Sequence, residues 1–155
     1  MSAKGARTLF IGPLPPPVHG QSNATGVILD LFSAAGIVLI AVNVSEGSGS
    51  RFAKTVRKIL VNAWGICLAI FGKYRTLYVS ANSGRGMWFT AVTVLAARIR
   101  RRAVFVHHHS YHPIAAPSLH SYALVRGGGR RSTHILLTSG MAQAFLDTYG
   151  ADLTT

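Results

Sequence analysis

The chain has 155 residues, 49% of them hydrophobic, which suits one domain with a buried core and excludes a disordered tail. Sixteen Lys and Arg against four acidic residues give a net charge of +12, a field that favours polyanions, anionic lipid or phosphorylated small molecules. The cationic clusters lack the interleaved aromatics of a single-strand stacking platform, so nucleic acid is not an expected partner; the sole cysteine, Cys67, excludes an internal disulfide framework and fits a reducing compartment.

The basic N-terminus leads into Thr8-Leu9-Phe10-Ile11, a strand-like run with no cleavage-site pattern, so no signal peptide is expected. Gly12 to Ser22 then reads GPLPPPVHGQS. Consecutive prolines lack donors and fix φ near about −65°, so this loop must stand clear of the strand tip, just before a helix. His19, Gly20, Gln21 and Ser22 fall at the helix start, where a glycine admits a close ligand and first-turn N–H groups favour an anion. Ser22 or Asn23 is the expected cap, with the helix running to about Phe32. Ile37 to Val42 is a continuous apolar run of strand length, the pattern of a central parallel strand covered on both faces.

After the Gly47–Ser50 break, Phe52, Val56, Ile59, Leu60, Ala63, Cys67 and Phe71 recur at helical spacing with Arg51, Lys54, Arg57 and Lys58 beside them. The apolar face is expected to cover the sheet, and the basic flank suits an anionic leaflet. The apolar run from Ile59 to Gly72 falls short of the roughly 20 residues that span a bilayer.

Thr76 to Ser80 reads as a third strand, and the polar loop Asn82 to Gly86 precedes a helix over Met87–Arg98. Ala103 to Val106 is a fourth strand whose end carries His107, His108, His109 and His112. Only His107 and His109 share a strand side and no carboxylate is near, so no metal is expected there. A short helix over Leu119–Val125, a fifth strand over His134–Thr138 and a last helix capped by Ser139 and closed by Gly150 complete the pattern. Strands alternating with helices predict an α/β fold, a Rossmann-like doubly wound parallel sheet of five or more strands. Ligands bind such sheets outside the carboxyl ends of the strands, where all three unusual loops fall.

The motifs Gly12–Gly20, Leu77–Ser80 with Asn82 and Gly86, Val104–Ser110 and His134–Met141 resemble, in order and spacing, the N-terminal half of a GT-B glycosyltransferase of the retaining bacterial family 4 type. The resemblance covers about Thr8 to Gly150 and implies an acceptor-side domain over residues 1–155. It implies that Gly20 approaches the donor diphosphate, that a histidine lies at the reaction centre (His109, with His107 its rival), and that His19, Gln21, Ser22, Asn82 and Gly86 belong to the same site. It also implies no cofactor besides a nucleotide-sugar co-substrate, held by a second domain that this sequence does not include. The acceptor would be a glycan or lipid-linked, the setting cytoplasmic or peripheral on the inner face of the plasma membrane, and the chain alone inactive. The competing reading is a basic phosphate- or nucleic-acid-binding α/β module without catalysis.

Overall fold

The computed structural model describes residues 7–45, 47, 49–129 and 132–150. Five parallel strands, β1 (Arg7–Gly12), β2 (Val38–Asn43), β3 (Thr76–Ser80), β4 (Ala103–His107) and β5 (Ser132–Ile135), form one sheet in the order β2-β1-β3-β4-β5. The helices are α1 (Gly20–Ala34), α2 (Arg51–Phe71), α3 (Met87–Ile99), α4 (His112–Ala115), α5 (Leu119–Gly128) and α6 (Ser139–Tyr149). This is the doubly wound α/β arrangement the alternation predicts, with its switch point between β1 and β3.

On one face Phe10 of β1 stacks on Tyr78 of β3 at 4.7 Å, and Phe32 of α1 meets both edge-on. On the other, Leu9, Ile11, Leu77, Val79, Val104 and Val106 form the core with α2 and α3. A side chain at Gly65 of α2 would come within 3.2 Å of Ile11, so glycine lets the helix sit close to the sheet. A smaller cluster of Ile114, Met141 and Phe145 joins α6 to α4.

Three expectations are corrected. Strand β2 is an edge strand among the described residues, not a central one, and Val38 is half exposed. Helix α1 begins at Gly20 with His19 as its cap, so Ser22 lies inside the first turn. The fifth strand begins two residues earlier, at Ser132, leaving Leu136–Thr138 outside it, and Thr138 rather than Ser139 caps α6.

The apolar stripe of α2 also faces the other way. The helix meets the sheet through Asn62, Gly65 and Ala69, whereas Phe52, Leu60, Trp64, Cys67 and Phe71 lie exposed. Its first ten residues are all exposed, so this half projects past the sheet's carboxyl edge as a wall beside the β1 loop.

Candidate functional site at the carboxyl edge of the sheet

The loop after β1 is fastened on both sides. Asn43, at the end of β2, accepts through Oδ1 from Leu14 N (3.0 Å) and Ser45 N (2.9 Å), and Ser45 Oγ donates to Leu14 O. At the helix start His19 Nδ1 accepts from Ser22 N (3.2 Å), while Ser22 Oγ accepts from His19 N (3.0 Å) and donates to Pro17 O (2.8 Å). Ser22 is fully buried and serves this capping box. With Ser22 N engaged, the N–H groups of Gly20 and Gln21 are the ones helix geometry leaves for a ligand. A Cβ at Gly20 would meet nothing within 4 Å, so the backbone there is open to approach.

Gln21 ties this loop across the switch point, donating from Nε2 to Ser80 Oγ (2.9 Å) and Ala81 O (3.3 Å). It lines a cleft of about 370 Å³ together with Pro13, Pro17, His19, Ser45, Lys58, Asn82 and Ser83. Lys58 comes from the projecting half of α2 and gives the cleft a cation. Asn82 N donates to Thr90 Oγ1 (3.2 Å), and its amide meets Asn62 Oδ1 (3.5 Å), which joins the β3 loop to α2. Gly86 is the cap of α3, and its role is to leave room for Asn82: a Cβ there would lie 3.2 Å from Asn82 Cβ.

A second, smaller cavity of about 70 Å³ shares Gln21, Asn82 and Ser83 with the cleft and is closed by His108, His109, Ser110 and Pro113. His107 and His109 share one side of the chain, as alternation requires, with ring centroids 3.9 Å apart. Only His109 of these two lines the cavity, and its Nε2 is buried without a partner. His107 turns into the sheet, where Tyr78 Oη lies 2.6 Å from its Nδ1. Burial raises the Tyr78 pKa and lowers that of His107, so this pair stays neutral. His109 is pushed down to about 4, by burial first and then by His107.

No family model, curated protein or solved structure matches the chain. The site therefore has to be read from its own chemistry. His19, Gln21, Asn82 and His109 line the two adjoining cavities; Ser22, Gly86 and His107 shape or support them. No group of three or more metal-ligating side chains occurs among the described residues.

Sequence reasoning missed Asn43 and Lys58 as parts of the site. Asn43 ends an apolar strand, a polar residue at a strand tip, and that was its available signal. Lys58 belongs to a helix face that only the register of α2 on the sheet turns toward the cleft. The buried pair His108 and His134, with Nε2 to Nδ1 at 2.8 Å and Phe145 packed on both rings, was equally invisible, because it joins two strands distant in sequence.

Proposed function

We propose that this domain is the acceptor-binding side of a glycosyltransferase that moves a sugar from a nucleotide-sugar donor to a glycan or lipid-linked acceptor. The observation that carries the reading is the meeting, at the switch point, of an open helix start at Gly20, a polar cleft crossed by Gln21, and His109 in the adjoining cavity. Transfer from a nucleotide sugar builds negative charge on the departing diphosphate, and the Gly20 and Gln21 N–H groups with Lys58 supply donors and a cation for it. Gln21 and Asn82 offer amides of the kind that bind hydroxyls, and neutral His109 can accept a hydroxyl proton or donate to an oxygen. A partner domain bringing the nucleotide sugar would close the cleft and exclude water. We place the activity in the cytoplasm at the inner face of the plasma membrane, where lipid-linked acceptors are presented.

The test is calorimetric titration of the chain with oligosaccharide and lipid-phosphate acceptors, alongside nucleotide release from a panel of UDP- and GDP-sugars. Acceptor binding weakened by Gln21→Ala and His109→Ala, with release at background for this chain alone, supports the reading. Release above background that His109→Ala abolishes would overturn the two-domain requirement. Tight, steeply salt-dependent binding of oligonucleotides that ignores both substitutions would support the phosphate- or nucleic-acid-binding alternative instead.

A further inference from the structure

We infer that His108, held by its partner His134, is a hydroxyl-binding residue of the small cavity beside the cleft. His108 directly follows β4 and is tied to β5 twice, by its backbone N–H to Ile135 O (2.9 Å) and by its Nε2 to His134 Nδ1 (2.8 Å). Phe145 of α6 packs on both rings, with centroids 4.9 and 5.2 Å away, which fixes the two imidazoles in place. His108 is 2% exposed and lines the cavity, yet its Nδ1 has no hydrogen-bond partner in the protein. Buried polar atoms are nearly always paired, so each exception calls for an explanation. His109 Nε2 is a second unpaired atom at the same cavity. Two such nitrogens from successive residues, both at one cavity, point to a ligand there.

The chemistry of the pair decides what the cavity can take. Burial holds both rings neutral at neutral pH, so the two rings share two N–H protons among four nitrogens, and one of these protons lies between them. When His134 Nδ1 donates, His108 Nδ1 carries the other proton and is a donor to the cavity. When His108 Nε2 donates, His108 Nδ1 is a bare acceptor and the other proton sits on His134 Nε2. A hydroxyl suits both arrangements because it donates and accepts, whereas a phosphate or carboxylate suits only the first and an ammonium only the second. Among the described residues no charged side chain lines this cavity, in contrast to the cleft with Lys58. Gln21, whose Nε2 is engaged by Ser80 and Ala81, keeps Oε1 to accept from a neighbouring hydroxyl. A water needs about 10–15 Å³ of such space, so about 70 Å³ admits one edge of a small polyol and not a whole sugar ring. Assigning these hydroxyls to a sugar rests on the transferase reading; the fit of the cavity to a neutral polyol does not.

The test is imidazole nitrogen NMR of the histidine-labelled chain, titrated with methyl α-glucopyranoside and, separately, with inorganic phosphate. Such spectra tell a protonated ring nitrogen from a bare one. The glycoside should shift His108 Nδ1 and His134 Nε2 together, and saturably at up to about 100 mM, since one proton arrangement links the two atoms. Phosphate should leave both unmoved. His134→Leu removes the partner that sets the His108 proton and should weaken glycoside binding about tenfold; His134→Asn, whose amide can stand in for Nδ1, should recover most of it. A purely structural role would change the thermal melt of these variants but not the ring protons of the unaltered chain. No saturable shift at His108 would mean that solvent alone satisfies its Nδ1 and would overturn the inference. So would a larger response to phosphate, or undiminished glycoside binding by a folded His134→Leu chain. Loss of the transferase reading looks different: the acceptor titrations fail while the His108 response to the glycoside persists.

Discussion

Tyr78 and His107 meet through a 2.6 Å hydrogen bond between Oη and Nδ1, inside the sheet, while His109, tilted against His107 with ring centroids 3.9 Å apart, turns to the cavity. With Tyr78 donating, the His107 proton sits on Nε2. The three residues form a graded series, from a buried structural pair to a cavity-lining imidazole. Tyr78→Phe removes the partner and leaves a buried imidazole nitrogen unsatisfied, at a cost of about 1–3 kcal/mol. His109→Ala removes a nitrogen that has no partner to lose, so its effect on stability should be the smaller one. Urea unfolding of the two variants checks the order; a larger loss for His109→Ala would contradict the division of roles.

The buried histidines make the fold acid-sensitive. Burial above all pushes His108 down to about 3, with His134, His107 and His109 adding repulsion, and pushes His134 down to about 4. An unfolded histidine titrates near about 6.5. As pH falls below that value the unfolded chain takes up protons that the folded chain refuses, so stability falls through the window from about 6.5 to 4. The loss levels off only when the folded rings protonate. Each ring adds at most about 1.4 kcal/mol per pH unit across the window. Urea midpoints as a function of pH should drop below neutrality, and His134→Gln should flatten the curve; a midpoint independent of pH in this window would contradict a neutral buried pair.

The alternation of strands and helices was legible because each strand is a short apolar run and each crossover a periodic one. The candidate loops were legible for the same reason, since parallel strands bring their carboxyl ends to one edge. What sequence could not supply was orientation. The apolar periodicity of α2 is real, but the smaller residues on its opposite side give the closer fit to Ile11 and Val42, and that contact decides which side is buried. In β2 the hydrophobic run suggested two covered faces, yet strand order places it at the edge, a property of pairing that no local pattern encodes. His19 as a cap was missed because Ser22 and Asn23 are the more usual capping types; Ser22 takes part from the third position instead.

Two glycines separate structure from site at the β1 loop. Gly12 ends β1 where α1 passes over it: a Cβ there would lie 2.6 Å from Thr25 Cγ2 and 3.1 Å from Ser80 Cβ. Contacts that short force the helix or the strand tip to move, so Gly12→Ala should destabilise the chain by about 1–3 kcal/mol. Gly20 stands at the start of the helix with nothing within 4 Å of a Cβ, so Gly20→Val should leave folding largely intact apart from a helix-propensity effect of a few tenths of a kcal/mol. Its consequence falls on whatever approaches the Gly20 and Gln21 N–H groups, because the branched side chain would fill that approach. The measurement pairs a thermal melt with a phosphate-ester or nucleotide-sugar titration for each variant. Gly12→Ala should lower the melting temperature, whereas Gly20→Val should keep it and lose the anion; an unchanged titration for Gly20→Val would remove the helix start from the site and leave the cleft at Gln21, Lys58 and Asn82 to carry binding by itself.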